Sequence, residues 1–184
     1  DGAQNAPGGY DPGYWIGATS IDTWNGLTDA TWHTGGNWAS GSAPASGDNV
    51  FIRDSSTDPV ISTTGVQVTN LTVESSGALT INAAKDLTLS GDFSNSGTVT
   101  LNSDSDEFAS IIVQGSSSGD IVYKRYVADV GENEWDYIGS PVAGQNLQTL
   151  IDNNSSLATN GSQVAIGAFD NSAGDTAILM YTNK

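Results

Sequence analysis

The sequence contains no cysteine, a single histidine (His33) and only five basic residues, Arg53, Lys85, Lys124, Arg125 and Lys184. Without cysteine, disulfides and thiolate metal sites are excluded. One imidazole gives zinc no second nitrogen ligand and leaves any hydrolytic triad dependent on His33 alone. The five basic residues stand against 21 acidic ones, for a formal net charge of −16. Nucleic-acid binding draws on counterion release at a basic footprint, so nucleic acid and anionic membrane surfaces are excluded as partners. No apolar run approaches the roughly 18 residues of a membrane-crossing helix, and no membrane insertion is expected. The acid excess instead favours solubility and attracts divalent cations.

Charged residues of both signs amount to 14% of the chain, well under the ~25% of an average domain. Gly, Ser, Thr and Asn take their place, and the 37% hydrophobic content suffices for the core of one domain or two small ones. Many turn formers between short apolar stretches indicate an all-β protein of extracellular type.

The clearest pattern is a recurring apolar-Thr-apolar triplet: Leu71-Thr72-Val73, Leu79-Thr80-Ile81, Leu87-Thr88-Leu89 and Val99-Thr100-Leu101, with Val66-Gln67-Val68 as a variant. In each triplet the flanking apolar residues point to one side of a strand and the central residue to the other. The starts at Leu71, Leu79 and Leu87 leave room for a short strand and a turn, and three such units make a coil of roughly 20 to 25 residues. A meander of hairpins gives similar spacing, but these turns lack the Asn-Gly and Asp-Gly pairs of tight hairpins. Three-residue strands are marginal as hairpins and sufficient when coils stack. The fold predicted is a right-handed parallel β-helix or solenoid with a Trp-rich N-terminal cap, followed by a smaller β-rich unit.

Residues 1–14, rich in Gly and Pro, read as an extended arm with a mature or engineered start. Residues 15–123 are assigned to the capped solenoid, with Asn49–Ile52 as its first clear strand. Residues 124–184 change character and form the C-terminal module, with strands expected near 121–127, 135–138, 163–169 and 176–182. Apolar Leu147, Leu150 and Ile151 suit one short helix over 146–154.

The segment "TWNGLTDATWHTGGNWASGSAPASGDNVFI" resembles the opening of large secreted β-helix proteins of gram-negative bacteria, through Trp24, Gly26, Trp32, Asn37, Trp38, Gly41, Pro44, Asp48, Val50 and Ile52. "IVYKRYV" and "EWDYIGSPV" are similar to a junction in surface proteins exported by the type IX secretion system. This resemblance implies a secreted, adhesin-like β-solenoid on a bacterial surface, beginning with a cap just before the first coil. Such proteins end in a sorting domain with no counterpart here, so a fragment or a processed chain is expected. β-Helix polysaccharide lyases, as a family, pair calcium carboxylates with a basic proton acceptor. Arg53 and Lys85, the basic residues of the coil region, sit in no acidic cluster.

Several residues invite a chemical role. Trp15, Trp24, Trp32 and Trp38 either cap the solenoid end or, at Trp24, Trp32 and Trp38, stack on sugar rings. Asn102, Asp104 and Asp106 alternate as calcium ligands do, without the glycine and distal glutamate of a calcium loop; "DNSAGD" at 170–175 is a weaker case. Glu132, Glu134 and Asp136 raise a paired-carboxylate reading. Thr72, Thr80, Thr88 and Thr100 make a flat hydroxyl array only if they share a face, whereas the coil length spreads them over three. Asp175-Thr176-Ala177 matches a short bacterial O-glycosylation sequon at Thr176. The expectation is a non-enzymatic module for adhesion or extracellular assembly, with glycans, surface proteins or copies of itself as partners. The alternatives are a carbohydrate-binding module and a non-catalytic fragment of a polysaccharide-acting enzyme.

Overall fold

The computed structural model describes residues 21–127, 146–155, 157, 159–160, 163–164, 166 and 182–183. The chain divides into two compact units, Asp1–Asp136 and Tyr137–Lys184. The first unit is the predicted solenoid. Strand β1 (Ile21–Thr23) precedes three coils of three strands each. They are β2 (Asn49–Ile52), β3 (Val60–Ile61) and β4 (Val66–Val68); β5 (Asn70–Val73), β6 (Ala78–Ile81) and β7 (Asp86–Leu89); then β8 (Phe93–Asn95), β9 (Thr98–Leu101) and β10 (Ser110–Val113). Strands β11 (Ser117–Ser118) and β12 (Val122–Tyr123) begin a further coil.

Every third strand falls on the same face, so three parallel sheets run along the body. Face one has the order β1-β2-β5-β8-β11, face two β3-β6-β9-β12 and face three β4-β7-β10. The registers Asn49↔Asn70, Ala78↔Thr98 and Leu87↔Ile111 set coil lengths of 21, 20 and 24 residues. In-register parallel pairing stacks like on like. Val50, Leu71 and Phe93 form one inward column, Ile61, Ile81 and Leu101 another, and Val68 and Leu89 a third. All of these are buried in one continuous core, and each fully buried aliphatic side chain is worth about 1.5–3 kcal/mol. The triplet threonines point outward as the alternation requires. Thr72, Thr80 and Thr88 lie on faces one, two and three, and only Thr100 stacks on another of the set, Thr80.

The corners explain the small residues between triplets. Between faces one and two, Gly77, Gly97 and Gly119 each begin the turn where one coil rests on the last. A Cβ on Gly77 would stand 2.7 Å from the Ile52 carbonyl oxygen. On Gly97 it would overlap the carbonyl oxygens of Gly77 and Glu74, and on Gly119 that of Asn95. The stretch Phe93–Asn95, which completes no apolar-Thr-apolar triplet, is a strand of face one. Its inward Asn95 replaces an aliphatic residue, its amide donating to the Asp120 carbonyl and accepting from the Gly97 N–H.

In the second unit, helix α1 (Leu147–Asn153) lies within the predicted 146–154, with Asn146 capping the Gln148 and Thr149 N–H groups. Strands β13 (Thr159–Asn160), β14 (Gln163–Val164) and β15 (Thr182–Asn183) pair antiparallel. The strand expected near 135–138 lies outside the described residues.

Gly97→Ala is expected to destabilise the protein by about 1–3 kcal/mol, since the overlapped atoms are backbone and cannot swing aside. Gly47→Ala, with open space around the site, should stay within about 0.5 kcal/mol. Thermal melting of the two variants side by side checks the corner geometry.

Candidate functional site

The segment between β1 and β2 folds over the end of the first coil. Trp24 and Trp38 pair in an antiparallel bridge, and Thr31 pairs in parallel with Val60 of face two. The Trp32 N–H donates to the Val60 carbonyl and the Val60 N–H to that of Ala30, so this edge is covered. Inside, the Trp38 ring meets Trp24 and Trp32 edge-on, with centroids 5.0 and 4.7 Å apart. The Trp24 indole N–H donates to the Thr57 carbonyl and that of Trp38 to the Trp32 carbonyl, both at 2.7 Å. Trp32 Nε1 is buried without a partner among the described residues.

Asn37 ties the cap together. Its Oδ1 accepts the N–H groups of Thr28 (2.9 Å) and Asp29 (3.0 Å). Its Nδ2 donates to Asp29 Oδ1 (2.8 Å) and the Thr31 carbonyl (3.0 Å). All four bonds lie on a residue that is itself fully buried. The Asn37 amide, then the Thr31 N–H, hold the Asp29 carboxyl below the usual carboxylate range. Asp22, inward above Val50, is also buried and accepts from the Ser40 N–H and hydroxyl.

These facts correct one candidate role. Trp24 and Trp32 are 0% exposed and Trp38 3%, so no indole face is open to a sugar ring and carbohydrate stacking on these three is ruled out. They serve as the cap. Trp15 lies outside the described residues, as do Glu132, Glu134 and Asp136, residues 170–175 and Thr176.

The candidate calcium loop is a closed turn. Asp104 Oδ1 accepts the N–H groups of Asp106 (3.0 Å) and Glu107 (2.8 Å), and these bonds lower its pKa. The Asp106 carboxylate takes the Ser105 hydroxyl, and Ser103 pairs with Phe108 to close the excursion. Asn102 lies at the base, its main chain bonded to Ile81 and Ala109. The alternation forms an Asx turn at Asp104, whose Oδ1, like one oxygen of Asp106, accepts hydrogen bonds from within the loop. Among the described residues no group of three or more His, Cys, Asp or Glu side chains is placed to hold a metal ion.

His33 is exposed, and the hydroxyl of Thr63 approaches both ring nitrogens, at 2.9 Å from Nδ1 and 3.4 Å from Nε2. A relay needs one nitrogen on the nucleophile and the other on an orienting acid, which is not this arrangement. Arg53 is held by the Asn25 side-chain oxygen at 2.6 Å.

A concavity emerges where no motif had pointed, on the outer surface of face one. It is an open groove of about 410 Å³ crossing strands β1, β2, β5 and β8. Phe51, Thr72 and Ser94 form one outward row along it. Beside them runs a hydrogen-bonded ladder. Asn70 Nδ2 donates to Asn49 Oδ1 (2.6 Å), the Asp92 N–H to Asn70 Oδ1 (2.6 Å), and the Ser116 N–H to Asp92 Oδ1 (2.8 Å). Gly91 and Gly115 leave the room these side chains occupy. The signal was present in the sequence as Asn49, Asn70 and Asp92, one coil apart each, but only the known coil length reveals it.

Residues 23–172 match a family described as a domain of unknown function, DUF8693, and the chain belongs to it. The matched region takes in the cap and all the coils and continues beyond them. No curated protein and no solved structure matches the chain.

Asn37→Ala would leave the Thr28 and Asp29 N–H groups unpaired, while the Thr31 carbonyl keeps the Thr34 N–H, at about 1–3 kcal/mol for each unpaired group that stays dry. A loss of about 3 kcal/mol or more, with the indole near-UV dichroism flattened at lower temperature, is expected from chemical denaturation. Two carboxyls give pH signatures of opposite sign. The depressed Asp29 stabilises the fold above its unfolded pKa, near 3.9, and that contribution is lost as pH falls through the folded value. Burial, then the Asp54 carboxylate, raises the Asp58 pKa, so its contribution is present below the unfolded pKa and lost as pH rises through the folded one. Asp58→Asn should therefore raise the melting temperature at neutral pH and cease to do so below about pH 4. Asp29→Asn should lower it at neutral pH, by an amount that shrinks on acidification.

Proposed function

We propose that this member of the DUF8693 family is a non-enzymatic β-solenoid module of the bacterial cell surface or extracellular space, acting as a rigid body in adhesion or structural assembly. One observation carries the reading. The polar side chains best suited to chemistry, Asn37, Asp29, Asn95 and Asp104, are spent on the backbone of their own corners. The hydrogen-bonding capacity that the cap and corners hold thus builds a stiff body. A solenoid gives length and rigidity cheaply, because each coil contacts only its neighbours.

The acidic, hydroxyl-rich exterior supports an extracellular setting. The resemblance of the Trp-rich opening and the "IVYKRYV" segment to type IX-exported surface proteins supports the same location and suggests the export route. Glycans, surface proteins and further copies of the chain are the partners this reading admits.

Protease shaving of intact producing cells tests it. Solenoid peptides should be released without lysis, and a deletion strain should adhere less to surfaces while growing normally on polysaccharides. A protein protected in intact cells and recovered from the cytosol would overturn the location. A growth defect confined to one polysaccharide would overturn the non-enzymatic role.

A further inference from the structure

The groove on face one has a composition that specifies a ligand class. Its floor is a parallel sheet whose backbone groups are used between coils, so no peptide can add there as a strand. Recognition must come from side chains. Phe51 is half-buried with its ring on the outward row, while Thr72 and Ser94 are exposed in line with it. Ile21, 66% exposed, borders the groove at β1.

The flanking ladder is polarised. Each side-chain oxygen that faces the next coil is occupied, whereas Asn49 Nδ2 and Asp92 Oδ2 take part in no hydrogen bond among the described residues. The groove thus carries an amide donor towards one end, a carboxylate acceptor towards the other, hydroxyls between them and an aromatic ring alongside. None of the described residues that line it is basic.

The geometry points to a binding site for a neutral glycan chain lying along the solenoid axis. A pyranose presents an apolar ring face, which suits Phe51, and an edge of hydroxyls that both donate and accept, which suits Asn49, Asp92, Thr72 and Ser94. Four strands at ~4.8 Å spacing give a run of about 14 Å, enough for a few sugar rings. Charge selects against the alternatives. Uronic or sulfated polymers would approach Asp92 on a protein of net charge −16, with no cation in the groove. The ladder residues are already held by the neighbouring coils, so little side-chain freedom is lost on binding. The inference rests on the reading of this module as a binding body and adds the class of ligand and the face that takes it.

Short neutral β-linked gluco-, manno- and xylo-oligosaccharides, with alginate oligosaccharides as the anionic comparison, are titrated against the full chain by calorimetry. At least one neutral series should saturate, with Kd on the order of 0.1–1 mM for so open a groove. Phe51→Ala should weaken it by about tenfold. Thr72→Lys, at an exposed position that fills the groove, should abolish it with melting unchanged. Gln67→Lys, exposed on face three, should bind as wild type. Failure of every neutral probe, stronger binding of alginate, or binding that survives both face-one variants would overturn the site. Surface-exposed protein that binds no neutral probe sinks only the groove. Glycan binding by a protein found solely in the cytosol sinks only the location.

Discussion

In-register stacking of parallel coils is the constraint on which this structure depends. Once Asn49 pairs with Asn70 and Leu71 with Phe93, every residue has a fixed neighbour above and below, and its side chain meets the residue at the same place in the next coil. Aliphatic columns follow, because an inward position that is apolar in one coil has to be apolar, or internally hydrogen-bonded, in the next. Asn95 shows the second option, at the foot of the column that holds Ile52 and Val73. The corners obey the same rule. Where a corner rests directly on the backbone of the coil before it, no Cβ fits, and this is why glycine recurs at 77, 97 and 119.

A stack has ends, and the first coil's upper surface would otherwise expose its core and the edge of face two. The cap answers with volume instead of another coil. A buried Trp removes about 150–250 Å² from water, which at ~25 cal/mol per Å² is roughly 4–6 kcal/mol. Against this stands the unpartnered Trp32 N–H, whose desolvation costs about 1–3 kcal/mol. Burial wins by a margin that tolerates one orphan, although not several, and the N–H groups of Trp24 and Trp38 are duly bonded. Asn37 does for the backbone of the cap what the ladder does for the coils: a single amide supplies both donors and acceptors where regular pairing has stopped.

How much of this was legible in the sequence follows from the same physics. The triplets announced strands because alternation across a strand forces apolar-polar-apolar, and their spacing gave three strands to a coil. Strands β3, β8 and β11 escaped notice because two- and three-residue strands need not complete a triplet. Phe93-Ser94-Asn95 hides its pattern behind an inward amide. The alternation at 102–106 suggested calcium because spaced oxygens look alike whether they face an ion or their own N–H groups. Sequence spacing does not record direction. The tryptophans were ambiguous between cap and sugar platform for a related reason, since the same flat apolar ring serves either use, and only burial distinguishes them. The face-one ladder was invisible until the coil length was known, as its members lie 21 and 22 residues apart with nothing between to link them.

That last point bears on where recognition can arise on such a body. Inward positions are committed to the core and corner positions to close approach, so only the outward rows are free to differ in chemistry. Among these, a row is useful for binding when its neighbours are fixed, since each flexible side chain immobilised by a ligand subtracts from affinity. Face one meets that condition through Asn70, held at both ends of its amide. The outward row of face two, by contrast, runs Val60, Thr80, Thr100 and Val122, with apolar ends and no amide or carboxylate. The two surfaces share a scaffold and a rise per coil. They differ in whether the polar groups beside the row have been set in place by the coils that carry them.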